Sequence, residues 1–202
     1  DTLPPAITLT AADLTAASDT FQADAGCGTS TDNITNDNTP TFTGIAGPSL
    51  LVEVLVDGLV VGSTTATAGG DWTFTTPTIA DGGHAISWRA VDIAGNATSS
   101  APALTVTIDT GAPTLAAIGN KTTNEDQTAL IPLALGDALQ PPQNLCFSPQ
   151  FSSPSLINLS GLSVDSSGGY NWVFQIPPAA NLSGSTQVTI SVYDIVGNAA
   201  PQ

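Results

Sequence analysis

Acidic side chains supply most of the chemistry that this sequence offers. The chain has 17 acidic residues, 15 of them Asp, and a formal net charge of −15. Asp is common in turns and among the oxygen ligands of Ca²⁺, which binds roughly six to eight oxygens. In the first half of the chain the candidate ligands are Asp19, Asp32, Asn33 and Asp92, with Asp13 behind them. We therefore expect a calcium site. The alternative is a solvated acidic surface in which these residues make turns.

A second candidate group lies where the two halves of the chain meet. Asp109 ends a predicted strand, and Asp194 and Asn198 belong to a loop of the second half that we expect to face it. Glu125 and Asp126 are further candidates at the same place. Clustered acids repel one another without a cation, so a chelator is expected to loosen the molecule.

Catalysis has little support in the sequence. His84 is the only histidine, and it lies in a predicted turn, Asp81-Gly-Gly-His84, before a strand. No nucleophile-elbow motif accompanies it, and a zinc site would need more His or Cys residues than this chain has. We predict that the protein is not an enzyme.

The charge balance argues against several partners. Only Arg89 and Lys121 are basic, so little could neutralise the phosphates of a nucleic acid or attract the chain to an anionic membrane. No apolar run approaches the roughly 20 residues of a membrane-spanning helix. The scarcity of Lys and the abundance of Thr, Ser and Gly fit an extracellular or cell-surface protein.

The two cysteines, Cys27 and Cys146, lie in different halves of the chain. A disulfide between them would join the two halves covalently. Two buried free thiols and a bond between chains are the alternatives, and the sequence leaves all three open.

An internal repeat organises the positions of these residues. Asp-Ile-X-Gly-Asn occurs as Asp92–Asn96 and as Asp194–Asn198, and Trp-X-Phe occurs upstream as Trp72–Phe74 and Trp172–Phe174. The paired motifs are about 100 residues apart, which suits two domains of ordinary size. We place the first domain at 1–109, a linker at 110–113 and the second domain at 114–202.

The strand signals predict an all-β protein made of two tandem Ig-like β-sandwiches. Residues 51–61 form two β-rich runs around Asp57-Gly58, a dipeptide that suits a type I′ hairpin turn. Apolar residues alternate with polar ones over 86–92 and 188–193, and no stretch has a helical apolar period. After Asn96 the first domain continues through a strand-like stretch, 101–109, whereas the second stops at Gln202. We therefore expect the second domain to lack its final strand.

A short N-terminal segment resembles the strand that the second domain lacks. Pro5-Ala6-Ile7-Thr8-Leu9-Thr10 is similar to Pro102-Ala-Leu-Thr-Val-Thr107, the predicted closing strand of the first domain. Residues 5–10 could thus close the second domain of another copy and join identical subunits head-to-tail. The alternative is that they form the first strand of their own domain and that the chain was cut or is disordered after Gln202.

Several motifs of the first domain resemble the bacterial Ig-like repeats of large surface adhesins. They cover most of residues 1–113: Ser18-Asp-Thr, 31–36, 39–44, Asp57-Gly58, Asp71–Phe74 and Asp92–Asn96. The resemblance implies extracellular β-sandwiches in tandem, often stiffened by Ca²⁺. This chain departs from the pattern after Ser18-Asp-Thr, where residues 21–28 replace a short turn.

The second domain is a weaker match to the cadherin-like tandem repeats of similar bacterial proteins. The similar motifs are Thr123–Asp126, Gly136–Ala138 and 178–184, and residues 140–154 depart from the pattern. Together the two resemblances imply a non-enzymatic structural module of an adhesin or filament. Its partners would be neighbouring repeats or identical subunits.

The alternative function is a carbohydrate- or cell-surface-binding module, which would need exposed aromatic side chains. The chain has 11 aromatic residues, and most recur at core-like positions. Phe147, Phe151 and Tyr170 are the ones that could form a small sugar-binding patch.

Overall fold

The computed structural model describes residues 2–21 and 28–200, and these fall into two compact units. The first unit contains residues 2–21 and 29–110, and the second contains Gly28 and residues 111–200. Thr110, which we assigned to a linker, is bound to the first unit, because its backbone N–H and hydroxyl donate to Asp81 Oδ1 over 3.1 and 2.8 Å. Cys27 lies outside the described residues.

Eight strands form two sheets in the first unit. They are β1 (Asp13–Leu14), β2 (Ile34–Thr35), β3 (Thr41–Ile45), β4 (Leu51–Val56), β5 (Leu59–Thr65), β6 (Asp71–Thr75), β7 (Gly82–Val91) and β8 (Leu104–Ile108). One sheet has the order β1-β3-β6 and the other has the order β2-β8-β7-β4-β5. All pairs are antiparallel except β2–β8.

The core of the first unit follows from side chains that alternate along its strands. Ile86, Trp88 and Ala90 of β7 are fully buried, and Trp72 of β6 is almost fully buried. The rings of Trp72 and Trp88 lie 5.4 Å apart at an angle of 58°. Aromatic and aliphatic side chains of both sheets therefore form one apolar layer.

The predicted type I′ turn is confirmed. Asp57 and Gly58 have φ angles of 50° and 81°, so both central residues adopt the left-handed conformation that this turn requires. The predicted turn at His84 is wrong, because β7 begins at Gly82 and His84 lies in the strand. Pairing with Val106 of β8 extends the strand there, and sequence reasoning did not foresee this long-range pairing.

Six strands form two sheets in the second unit. They are β9 (Thr114–Leu115), β10 (Ala129–Gly136), β11 (Cys146–Phe151), β12 (Ser163–Asp165), β13 (Asn171–Ile176) and β14 (Val188–Tyr193). One sheet has the order β12-β13-β10-β9 and the other contains β11 and β14. Three single-turn 3₁₀ helices, at Pro142–Asn144, Pro154–Leu156 and Leu159–Gly161, lie in the connections. The prediction of an all-β, Ig-like sandwich architecture is confirmed.

The three aromatic residues of the alternative sugar-binding patch pack on the core of the second unit. Phe147 and Phe151 pack on the buried Phe174, with ring centroids 4.7 and 6.4 Å away. Tyr170 packs against the same core and donates its hydroxyl to the carbonyl oxygen of Gln140. These rings are half-buried and stabilise the second unit, and sugar binding by them stays a prediction.

Residues 2–10 form no strand, which contradicts the simpler alternative that Pro5–Thr10 is the first strand of its own domain. The segment nevertheless packs on the first unit. Ile7 and Leu9 contact its core, and the Trp88 indole N–H donates to the Thr10 carbonyl oxygen over 2.9 Å.

Candidate functional sites

An apolar groove of about 990 Å³ runs along β14 in the second unit. Its walls are the stretch 115–125 and the stretch 182–190, and its lining includes Ile131, Ile157 and Ile176. Ile131 and Ile176 are also buried members of the core of this unit. The groove therefore opens directly onto the hydrophobic core.

One edge of β14 has no strand partner among the described residues. Its other edge pairs with β11 over residues 188–193. The equivalent strand of the first unit, β7, lies between two neighbours, β4 and β8. The second unit thus lacks a counterpart of β8 within the described part of the chain.

The length of β14 reflects this absence. The repeated motif places β7 and β14 in correspondence at an offset of 102 residues, so the part of β7 that pairs with β8, Gly82–Ile86, corresponds to 184–188. Only Val188 of that stretch lies in a strand. Residues 184–187, which would pair with a closing strand, thus form no regular structure, and they line the groove.

Three sequence-predicted ligands come together in the first unit around Asp19. Asp19 is 3% exposed, and its Oδ1 has no hydrogen-bond partner among the described residues. Burial raises the pKa of Asp19, and the negative charges of Asp32 and Asp13 raise it further, whereas the backbone N–H of Asn33 acts in the opposite direction. A buried carboxylate flanked by two further acids is an environment that a cation would stabilise.

Local turns position the ligands around Asp19. Asn33 has a φ of 59°, and its carbonyl oxygen accepts the N–H of Thr107 in β8. Asp32 accepts hydrogen bonds from the N–H groups of Thr29 and Ile34 over 3.3 and 3.1 Å. These contacts hold the stretch beside the end of β8, while the Asp19 N–H donates to Thr15.

Asp92 lies apart from this cluster. It follows the last residue of β7, whereas Asn33 lies beside the strand end that pairs with the start of β7. Ten residues of extended chain span roughly 30 Å. Asp92 and Asp19 therefore sit at opposite ends of the first unit and do not share one cation.

The repeated Asp-Ile-X-Gly-Asn motif builds the same loop in both units. The carboxylate of Asp92 accepts from the backbone N–H and side-chain amide of Asn96 over 2.8 and 2.9 Å, and Asp194 does the same with Asn198 over 2.9 and 2.7 Å. The side-chain amide of Asn96, followed by its backbone N–H, lowers the pKa of Asp92. A structural role thus explains the motif, and metal binding by Asp92 stays a prediction.

Asp109 and Asp194 belong to different units, and a site shared by them stays a prediction. Both are buried. The expectation that Glu125 and Asp126 join this site is wrong. They lie before the start of β10, whereas the loop of Asp194 lies near Asp137, after the opposite end of that strand. Asp126 instead accepts the backbone N–H of Asn181 over 3.1 Å.

Sequence reasoning missed Asp137 as a candidate ligand. One of its carboxylate oxygens and one of Asp194 lie within 4.8 Å of each other, and Asp137 Oδ2 is buried with no hydrogen-bond partner among the described residues. The signal was present in Gly136-Asp-Ala138, where an acid directly follows a strand. Only the fold shows that this strand end lies beside the loop of Asp194.

Cys146 is buried and takes part in a disulfide. The predicted partner, Cys27, lies outside the described residues, so the pairing stays a prediction. No helix among residues 2–21 and 28–200 is long and apolar enough to span a membrane.

Comparison with known proteins gives a family and a loose structural similarity. No curated protein matches the chain. A solved structure of fibronectin(III)-like modules of CbhA from Clostridium thermocellum is 15% identical and covers 83% of each chain, with a TM-score of 0.39. That similarity is too distant to carry an argument. Residues 7–110, just over half of the chain, match the bacterial Ig-like domain, and the chain therefore belongs to the bacterial Ig-like domain family.

Proposed function

We propose that this protein is an extracellular structural module that polymerises head-to-tail, with residues Pro5–Thr10 of one copy filling the groove beside β14 of the next. Bacterial Ig-like domains are typically non-catalytic and often extracellular or surface-exposed, which fits a structural or adhesive role. The observation that carries the proposal is the apolar groove along the edge of β14 that has no strand partner in the described part of the chain.

The first unit indicates which residues suit this groove. There the closing strand, β8, places Val106 and Ile108 fully in the core and Leu104 partly so. In the alignment of residues 5–10 with 102–107, Ile7 and Leu9 occupy the positions of Leu104 and Val106. Burial already alternates along the segment in its present position. Ile7 and Leu9 are half-buried, whereas the residues between and beside them are exposed, namely Ala6, Thr8 and Thr10.

The same equivalence gives a register for the donated strand. Leu104 pairs with Ile86 and Val106 with His84 in the first unit. Transferred to the second unit, Ile7 lies opposite Val188 and Leu9 opposite Thr186, with Thr8 between them facing solvent. Donated strands gain affinity from main-chain hydrogen bonds and specificity from alternate side chains in pockets.

Energetic considerations favour exchange of the segment between copies. In its own unit the segment makes no β-ladder, its two apolar side chains are only half-buried, and exchange would break the Trp88 hydrogen bond to Thr10. A ladder with β14 would add several hydrogen bonds, each contributing about 0.5–1.5 kcal/mol net. Full burial of Ile7 and Leu9 would add to this, and the sum must exceed the entropy cost of association.

Substitution on alternate faces of the segment tests the proposal. Leu9→Asp should abolish polymers, because it places a charge in the apolar groove. The matched control Thr8→Asp should leave polymers intact, because Thr8 faces solvent in the expected register. Electron microscopy and sedimentation report the outcome, and equal polymer yields from both variants would contradict the proposed strand.

A peptide experiment separates loss of donation from misfolding. A chain without residues 1–10 should remain monomeric, and a peptide of residues 2–12 should raise the melting temperature of its second unit by mass action. The Leu9→Asp peptide should have no effect. If the shortened chain still polymerises, strand donation is wrong and the tandem-repeat arrangement of adhesins is favoured.

We further propose that Asp19, Asp32 and Asn33 hold Ca²⁺ in the first unit. The buried Oδ1 of Asp19, which has no hydrogen-bond partner among residues 2–21 and 28–200, supports this, since a cation would neutralise the repulsion among Asp19, Asp32 and Asp13. The ion would supply positive charge and tie the Asn33 turn to the chain around Asp19. The predicted contributions of Asp92, Asp109 and Asp194 to cation binding remain open to the same experiment.

Melting measurements with Ca²⁺ and with EDTA test the cation site. The pKa of Asp19 is raised in the folded protein above its ordinary value of 3.8. Ionisation of Asp19 therefore destabilises the ion-free protein as the pH rises above that ordinary value. Asp19→Asn should therefore raise the melting temperature in EDTA and remove the stabilisation by Ca²⁺. Asp71→Asn, an exposed change of the same charge, should leave the Ca²⁺ effect intact. Equal melting of the unsubstituted protein in both solutions would refute the site.

A further inference from the structure

Ile93 is the most exposed large hydrophobic residue among those described, at 108%. Its equivalent in the second unit, Ile195, is only 8% exposed. Both occupy the same position of the same hydrogen-bonded loop, so the loop conformation does not cause the difference. Gly28 packs directly on Ile195, since a Cβ atom at Gly28 would lie 2.4 Å from the Ile195 carbonyl oxygen and 3.1 Å from its Cβ.

Ile93 and a second exposed apolar residue lie at the same end of the first unit. Leu51, which pairs with Val91 at the end of β7, is 39% exposed and faces outward from the same sheet. We call Leu51 and Ile93 the loop-end patch. Apolar side chains concentrated at one end of a domain mark an interaction surface more often than isolated ones do.

The N-terminal segment reaches the first unit at the same end. A Cβ atom at Gly47 would lie 3.4 Å from the Ile7 side chain, and Gly47 is in the connection between β3 and β4. From there the chain continues to Asp13, the first residue of β1. The residues between Thr10 and Asp13 span at most about 10 Å. A donated strand would therefore bring the loop-end patch close to the copy that accepts it.

The accepting copy offers exposed leucines where the donated strand would leave its groove. In the expected register the chain leaves near Gly184, at the end of the second unit opposite the Asp194–Asn198 loop. Leu182 is 46% exposed there, and a Cβ atom at Gly184 would lie 2.8 Å from Leu156. Leu159 is 53% exposed and follows Asn158, whose N–H donates to Pro177 at the same end.

We infer that the loop-end patch of one copy packs against Leu159 and Leu182 of the preceding copy, forming a second contact beside the donated strand. This inference rests on the proposed strand donation. An apolar contact suits copies that each have a net charge of −15, because long-range electrostatics between such copies is repulsive. The patch and its partner are different surfaces, which makes the contact heterologous and suited to an open chain of subunits.

Charged substitutions in each surface test the second contact. Ile93→Asp and Leu159→Asp should each raise the critical concentration for polymerisation about tenfold, as loss of a buried aliphatic contact would. Fibres that do form should be visibly more flexible. The control is Leu59→Asp, which changes an exposed leucine at the hairpin end of the same unit and should leave the critical concentration unchanged.

Peptide binding distinguishes this inference from the strand donation on which it rests. The peptide of residues 2–12 should stabilise the shortened chain equally with and without Ile93→Asp, because Ile93 lies outside the groove. If donation holds but both surface variants polymerise like the unsubstituted protein, the second contact is wrong. If the shortened chain still polymerises, or the full chain never does, strand donation itself is wrong, and the second contact that depends on it is wrong too.

Discussion

At the scale of single residues, the hairpin turn at Asp57 shows how one carboxylate joins three strands. Asp57 follows β4, its Oδ1 accepts the backbone N–H of Ala85 over 2.9 Å, and its Oδ2 lies 2.7 Å from His84 Nδ1. The N–H of Ala85 and then the contact with His84 lower the pKa of Asp57. The ionised carboxylate therefore holds the β4–β5 turn against β7.

Asp57→Asn should lower the melting temperature slightly at neutral pH, by about 1–4 °C, since exposed pairs contribute little. A group whose folded pKa is lowered stabilises the fold above its unfolded value and loses this contribution as the pH falls through the folded value. The difference between the variant and the unsubstituted protein should thus shrink below pH 3.8. Asn also tolerates positive φ, so the substitution isolates the charge. A difference that stays constant down to pH 2 would contradict this role for the carboxylate.

At the scale of elements, close approach between strands depends on the absence of a side chain at Gly44 in β3. A Cβ atom there would lie 2.7–2.8 Å from the indole ring of Trp72, which is 2% exposed. The pairing of β3 with β6 places Gly44 opposite Trp72. The buried ring therefore packs over the bare backbone of the neighbouring strand.

Gly44→Ala should destabilise the first unit by about 1–3 kcal/mol, because the ring must shift within a packed core. In a domain of this size the melting temperature should fall by roughly 5 °C or more. Gly83→Ala is the matched control in β7, since a Cβ atom there meets nothing within 4 Å. Thermal unfolding followed by tryptophan fluorescence checks both variants, and equal melting temperatures would show that the core accommodates the methyl group.

Local sequence patterns predicted those turns and strands whose conformation depends on neighbouring residues in the chain. Asp57-Gly58 specified its turn, and alternation specified the buried face of β7. The sequence did not reveal that β7 extends back to His84, because that extension depends on pairing with β8 about 20 residues away. The packing of Phe147 was not predictable for a similar reason, since its contact is with Phe174 in a different sheet.

At the scale of the whole molecule, the internal repeat predicted two similar units. Comparing equivalent positions of the two units locates the candidate sites. Asp19, Asp32 and Asn33 were predictable because they lie close together in sequence. Asp137 was not, because its proximity to Asp194 depends on where β10 ends in the fold. The groove beside β14 is visible only when the surroundings of β14 are compared with those of β7. The polymerisation experiments belong to this scale, because only the intact chain carries both the segment and the groove.

The position of Gly28 limits where the gene of this protein can be divided. Phe21 and Thr29 belong to the first unit, yet Gly28 belongs to the second and packs on Ile195. A gene fragment cut after residue 110 would encode a second unit without that packing partner. Recombination or cloning that treats the two halves as interchangeable cassettes would thus separate Gly28 from the loop on which it packs.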